Sequence, residues 1–344
     1  MLRVALYDDP LFREHDAGLG HPERPERLDA VRSGLRDAGL EPRLRLLSPR
    51  PATAEELERV HTPEHVARVA ATAGKTVRFD PDTRASPHSY EAALLAAGAV
   101  VDAVDRVLDG DLDCAFCAVR PPGHHAEAGR AMGFCLFNNV AVGAAHALAR
   151  GLERVLVVDP DVHHGNGTQA IFEGDPRVLY VSTHEFPFYP GTGSLAEVGK
   201  DRGRGFTVNL PLPAGCGDAE YARVYREIVE PIGIAFDPQL VLISQGFDPH
   251  RDDPLAGMNV TPDGFASVMA SCLRIARGAA RDRAIVAMEG GYDLDGIAES
   301  SAAIVRVLLG EARDEKPVRG SETADELVAM YRERYAPFWP ILAR

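Results

Sequence analysis

The chain has 344 residues, 45% of them hydrophobic and 26% charged, which is enough apolar material for a large core and too little polarity for a disordered chain. Its formal net charge of −14 argues against gripping a phosphate backbone, a task for a basic surface. The longest apolar stretch, 92–101, falls well short of the ~20 residues of a membrane span, so neither nucleic acid nor membrane is an expected partner.

The opening Met1-Leu-Arg-Val-Ala-Leu-Tyr-Asp-Asp turns acidic before a signal-peptide apolar region develops, and it reads as a first strand at 4–7. Further apolar, β-branched runs lie at 114–119, 155–158, 178–181, 240–243 and 285–288. Between them, 89–108, 141–150, 219–232 and 262–277 carry apolar residues at helical spacing, two of them behind the helix-start residues Asp218 and Thr261. Strand alternating with helix predicts an α/β fold, an open and mainly parallel sheet flanked by helices. No composition break divides the chain before about residue 310, so 1–310 is read as one domain. The remainder, 311–344, reads as a charged connector at 314–321, an amphipathic helix at 322–334 and a Tyr335-Ala-Pro-Phe-Trp339 segment packing back on the same domain.

The five cysteines, Cys114, Cys117, Cys135, Cys216 and Cys272, are odd in number, sit mostly in apolar stretches and show no disulfide-framework spacing. A reducing, cytoplasmic setting is expected. Cys114 and Cys117 form a CxxC, but inside an expected strand and with no second such pair, so they read as small buried hydrophobes.

Three segments, each behind a strand run, concentrate chemistry: Arg120-Pro-Pro-Gly-His124-His125, Asp159-Pro-Asp161-Val-His163-His164-Gly-Asn-Gly and Gln245-Gly-Phe-Asp248. A parallel sheet gathers its functional loops at the carboxyl ends of its strands, so residues distant in sequence can meet there. In extended chain Asp159, Asp161 and His163 share one face while Val162 and His164 take the other. Pro160 keeps Asp159 extended and, lacking an N–H, suits the end of a ladder. Asp161, His163 and Asp248 are the candidate zinc ligands, three protein donors leaving a fourth position open. Gly246 before Asp248 would let backbone approach the metal.

Two carboxylates cancel the charge of a zinc dication, so such a centre needs a protein base and an oxyanion donor. His124 and His125 follow a rigid Pro-Pro-Gly turn that aims them; standing alone, tandem histidines could equally satisfy one another in a loop. Asp159 is the natural partner of one ring and Asn166 of the other, so the two rings should differ in charge state. Tyr292, in Glu289-Gly-Gly-Tyr, is the candidate oxyanion donor, the competing reading being a surface tyrosine closing a turn.

These segments, with His21-Pro-Glu-Arg-Pro-Glu-Arg27-Leu, Gly133-Phe-Cys-Leu-Phe-Asn-Asn, Tyr189-Pro-Gly-Thr-Gly and Gly246-Phe-Asp-Pro-His-Arg-Asp-Asp-Pro-Leu, resemble the histone deacetylase family, in particular its class II and bacterial branches and the related acetylpolyamine amidohydrolases. The resemblance runs over roughly residues 1–300 in the family's order. It implies an arginase-like fold and one Zn2+ on Asp161, His163 and Asp248. It also implies His125 as general base and acid, His124 as electrostatic partner and Tyr292 polarising the acyl carbonyl. Further implied are a substrate tunnel at Gly133, Phe134 and Tyr189, an acetate-release cavity beside Arg27, and a potassium ion near Asp159, Asp161, His163, Ser182 and Thr183. The activity implied is hydrolysis of an acyl amide on acetyl-lysine or a similar acylated amine.

Two departures from the family pattern stand out. Pro160 replaces an apolar or aromatic residue, often Trp, and Leu255 stands where polyamine-selective relatives carry an acidic gatekeeper, which speaks against polyamine selectivity. Two rival readings are a two-manganese hydrolase, which needs a carboxylate where Gly165 stands, and a non-catalytic acyl-amine sensor, which would be expected to lack Tyr292 or the histidine pair. Oligomeric state is open.

Overall fold

The computed structural model describes residues 2–311 and 321–343. Ten strands form in chain order: β1 (Val4–Tyr7), β2 (Arg45–Leu47), β3 (Val77–Arg78), β4 (Arg84–Ala85), β5 (Cys114–Cys117), β6 (Val155–Asp159), β7 (Val178–Glu185), β8 (Thr207–Leu212), β9 (Leu240–Gln245) and β10 (Ala284–Met288). Strands β3 and β4 make a small antiparallel hairpin. The other eight build one sheet in the order β2-β1-β5-β10-β9-β6-β7-β8, every pairing parallel. Its central strands are buried at every position, which is why Val155-Leu-Val-Val and Leu240-Val-Leu-Ile read as unbroken apolar runs rather than alternating ones.

Two helix layers flank the sheet. In one, Ser89–Leu108 packs on Asn139–Ala149; in the other, Glu26–Asp37, Leu294–Leu308, Pro262–Ala279 and Asp218–Val224 pack in succession. Local chemistry starts several of them: Asn138 caps Asn139–Ala149, Asp293 caps Leu294–Leu308 and Ser321 caps Glu322–Tyr335, each accepting a backbone N–H of the first turn.

The structure departs from the sequence reading in several places. The expected helix at 219–232 is an α-helical Asp218–Val224, a π turn at Tyr225–Val229 and a further α-helical Glu230–Phe236. Pro231 accounts for the widening, because it has no N–H to donate one turn back and its ring crowds the carbonyl there. The strand expected at 114–119 ends at Cys117; Ala118 still donates to Tyr7 O, and the chain then turns so that buried Arg120 reaches Glu23. Strands β2 and β8 were not expected, and both are sheet edges, β8 carrying Pro211 where an edge tolerates it.

The expected connector at 314–321 lies, apart from Ser321, outside the described residues. Beyond it, Glu322–Tyr335 closes over edge strand β8: Tyr331 Oη donates to Pro211 O at 2.7 Å, Tyr335 Oη to Asn209 O at 2.7 Å, and Trp339 Nε1 to Gly205 O at 3.0 Å. No helix among the described residues is long and apolar enough to cross a membrane.

Candidate active site

The carboxyl ends of β5, β6, β7, β9 and β10 deliver, in turn, His124 and His125, Asp161 and His163, Phe188 and Tyr189, Asp248, and Tyr292. All of them except Asp248 line one cavity of about 200 Å³, and Asp248 lies against its floor. The ligand atoms of Asp161, His163 and Asp248 lie within 4.8 Å of one another. His163 Nδ1 is 3.3 Å from Asp161 Oδ1 and 3.1 Å from Asp248 Oδ2. The backbone aims both carboxylates: Gly290 N–H donates to Asp161 Oδ2 at 2.9 Å and Val162 N–H to Asp248 Oδ1 at 3.0 Å. A Cβ at Gly246 would strike Asp161, and one at Gly290 would strike Asp248, so these two close approaches demand glycine.

Strand alternation persists past Pro160. His164 points away from the trio, with Nδ1 2.8 Å from Thr192 Oγ1 and Nε2 3.0 Å from Gln169 Oε1. Asp159 stays outside the trio, and its Oδ2 accepts from His124 Nδ1 at 3.1 Å and from Tyr180 Oη at 2.9 Å. His125 Nδ1 is paired with Asn166 Oδ1 at 2.9 Å. The two imidazoles lie 4.0 Å apart between centroids, yet their environments oppose. Burial pushes the His124 pKa down, but the Asp159 and Asp161 carboxylates outweigh it and hold the ring well above its ordinary value. Burial, followed by the neighbouring His124, pushes His125 well below. The two environments therefore favour opposite charge states, His124 the cation and His125 the neutral imidazole.

Tyr292 is buried and lines the same cavity. Burial raises its phenol pKa well above the ordinary value, Arg27 opposes, and Asp248 and Asp161 add to the rise, so the group stays an O–H donor. Arg27 lies beneath the ring, its Cζ 5.1 Å from the Tyr292 centroid. Its guanidinium donates to Gly291 O at 2.6 Å, to Glu289 O, and to Glu23 Oε1 at 3.0 Å.

Phe134 and Tyr189 both line the cavity, with Gly133 and Leu255. Gly133 has φ 56°, and a Cβ there would run into the His125 ring. Phe134 also sits in the left-handed region at φ 68°, with its N–H donating to Thr83 Oγ1 at 3.1 Å and His21 packed edge-on against its ring at 4.5 Å. Of the residues expected around a monovalent cation, Asp159 and Ser182 are register partners across β6 and β7. The Ser182 hydroxyl meets His184 Nδ1 at 2.9 Å, and that of Thr183 meets Tyr225 Oη at 3.1 Å.

Several site residues escaped the sequence reading. Phe188 stacks on His163 with centroids 5.4 Å apart. Asp82 supplies an acidic group to the cavity lining, although position 255 is Leu. Glu289 accepts the N–H groups of Gly123 at 2.6 Å and His124 at 3.1 Å, and so clamps the histidine turn. Burial, partly offset by His124, pushes its carboxyl up to about 7. Asp253 accepts the Tyr292 N–H at 2.6 Å and the Leu255 N–H at 2.9 Å, tying cavity wall to cavity rim. The Phe-Tyr pair before Pro190 was a readable signal for Phe188; the roles of Glu289 and Asp253 were not readable, because their partners are backbone amides that only folding brings near.

A histidine supports the turn from below. His61 Nδ1–H donates to Glu127 O at 3.0 Å, and Nε2 accepts from Asn138 N–H at 2.9 Å, while Asn138 Nδ2 donates to the carbonyls of His124 and Ala126. Burial, reinforced by His65, pushes the His61 pKa down to about 3. Because that lies below the unfolded value near 6.5, the unfolded chain binds the extra proton. The stabilisation is whole above pH ~6.5 and fades as pH falls toward 3, by up to about 1.4 kcal/mol per pH unit. Melting temperature should therefore drop between pH 6.5 and 4 more steeply in the native protein than in His61→Gln; equal slopes would show that His61 does not carry the effect.

A model of the histone deacetylase domain matches residues 21–308. The chain belongs to the histone deacetylase family. It is 40% identical to histone deacetylase 5 of Arabidopsis thaliana, over 99% of this chain and 54% of that protein. It is 43% identical to polyamine deacetylase HDAC10 of Homo sapiens, over 93% and 50%, and 39% identical to a probable deacetylase of Archaeoglobus fulgidus, over 87% and 84%. The crystal structure of the HDA15 HD domain matches with a TM-score of 0.93 at 42% identity, covering 99% of this chain and 96% of that one. The chain thus has the family's fold, and it spans about half the length of the plant and human relatives.

Proposed function

We propose that the protein is a zinc-dependent deacetylase, hydrolysing the amide of acetyl-lysine or a similar acylated amine to acetate and the free amine. The observation that carries this reading is the convergence of Asp161, His163 and Asp248 on one point beside the His124–His125 pair, with the Tyr292 hydroxyl donor across the cavity. Two carboxylates and an imidazole at this spacing suit Zn2+ and balance its charge. When bound, zinc would supply Lewis acidity toward the acyl oxygen and lower the pKa of water.

The chain's own groups supply the rest. Phe134, Phe188 and Tyr189 grip an aliphatic stem and exclude water from the amide at its end. Neutral His125 accepts the proton of the attacking water at Nε2 and later returns it to the leaving nitrogen, while His124, held cationic by Asp159, stabilises the negative charge that develops. Tyr292 donates to the acyl oxygen as it becomes an oxyanion. Arg27, buried behind Tyr292, is the group we assign to departing acetate. Buried Asp159 with Asp161, His163, Ser182 and Thr183 offers oxygen donors for potassium, and five buried free cysteines favour a reducing, cytoplasmic setting. Asp82 and Leu255 together at the cavity leave both an acetyl-lysine peptide and an acetylated polyamine as substrates of this reading.

Zinc-loaded protein incubated with acetyl-lysine peptides and N-acetylated polyamines should release acetate from at least one of them, with loss on chelation and recovery on added zinc. Two tightly held transition ions per chain, or tight acyl-amine binding without turnover, would overturn the proposal.

A further inference from the structure

The side-chain amide of Asn166 stands between two groups that together permit only one orientation. On one side Oδ1 lies 2.9 Å from His125 Nδ1; on the other Nδ2 lies 2.9 Å from Glu127 Oε1 and 3.4 Å from Met132 Sδ. A carboxylate can only accept, so the end of the amide facing Glu127 must be the NH2. The carbonyl then faces His125, Nδ1 must carry the ring proton, and Nε2 is left with a lone pair. With the amide reversed, an NH2 would face Nδ1 and force the proton onto Nε2, which disables the ring as a base.

Glu127 is itself fixed for this task. Its N–H donates to Arg130 O at 2.9 Å in a tight hairpin, and its carbonyl accepts the Nδ1–H of buried His61. The neighbouring dyad is built differently. His124 rests on the carboxylate of Asp159, whose other partners, the Tyr180 hydroxyl and the Asp161 N–H, are both donors. An aspartate at 166 would instead set two carboxylates against each other with no proton between them.

We propose that Glu127 is a positioning residue that selects the His125 tautomer through Asn166, and that its carboxylate is the reason position 166 holds an amide rather than an acid. The inference rests on the reading of His125 as the base, and the experiment separates the two. Zinc-loaded enzyme with 15N-labelled histidine is compared as native protein, Glu127→Ala, Glu127→Gln, Asn166→Asp and the Glu127→Gln/Asn166→Asp double variant, with His125→Ala as control.

In Glu127→Ala the His125 resonances should lose the pattern of a protonated Nδ1, and kcat should fall roughly 10–100-fold, the usual weight of a group that orients a catalytic histidine, with KM and zinc content unchanged. Glu127→Gln, whose carbonyl can still accept from Asn166, should keep most of the activity. Asn166→Asp alone should be impaired, and adding Glu127→Gln, whose NH2 can donate to the new carboxylate, should recover most of the loss. Unchanged His125 resonances and kcat in Glu127→Ala, beside an inactive His125→Ala, would overturn the inference alone. An active His125→Ala would overturn the reading beneath it.

Discussion

Asp248→Ala is expected to abolish amide hydrolysis, lowering kcat/KM by roughly 10⁴-fold or more as befits one member of a group that acts as a unit, and to bring bound zinc from one ion per chain to near none. Asp248 reaches the trio from the end of β9, and its two oxygens are both engaged, one on Val162 N–H and one toward His163 Nδ1. Removing it would take away a proposed zinc ligand and one of the two negative charges proposed to balance the dication. Burial and the adjacent charge of Asp161 hold the Asp248 carboxyl above its ordinary pKa, so its removal relieves like-charge crowding and the fold should survive. Metal analysis, circular dichroism and acetate release on the same preparation check the three parts. A folded variant that keeps its zinc and turns over normally would remove Asp248 from the centre.

The asymmetry between what the sequence announces and what it conceals has a physical origin. Asp161 and His163 are legible because strand alternation is local: two residues apart in extended chain means one face, and an apolar run before them marks the strand whose end they occupy. Asp248 is legible by the same argument applied to Leu240–Gln245. Strand β8 was missed because Thr207–Leu212 carries Asn209 and Pro211 and pairs along only one edge, so its composition does not match a central strand although all but Pro211 are buried. Glu289, Asp253 and Glu127 were missed for another reason. Each is an unremarkable acid in the chain and acquires meaning only from a backbone amide or side chain brought to it by folding, 166 residues away for Glu289 and Gly123. Short-range periodicity identifies groups that face a common site; the hydrogen bonds that orient those groups belong to tertiary structure.

Tyr292→Phe isolates one such oriented group. The Tyr292 backbone N–H is held by Asp253 at 2.6 Å, its ring lies over Arg27, and Phe134 meets it edge-on at 6.1 Å, so a phenylalanine fills the same space with the same neighbours. What disappears is a hydroxyl kept protonated by burial, on a residue that lines the cavity together with Asp161 and His163. A donor of this kind is worth more as the acyl oxygen gains charge than it is to the neutral amide, so its loss should fall on kcat, by about 10²–10³-fold, and leave KM and zinc content near their native values. Steady-state kinetics on the preferred acetyl substrate, with an independent measurement of ligand affinity, separates the two effects. A rise in KM at constant kcat would mean that Tyr292 only grips the substrate, and native turnover would mean that the oxyanion is held without it. The Asp253 clamp bears on the same result: it fixes the backbone at residue 292 whichever side chain follows, so the substitution should change the donor and leave its mounting in place.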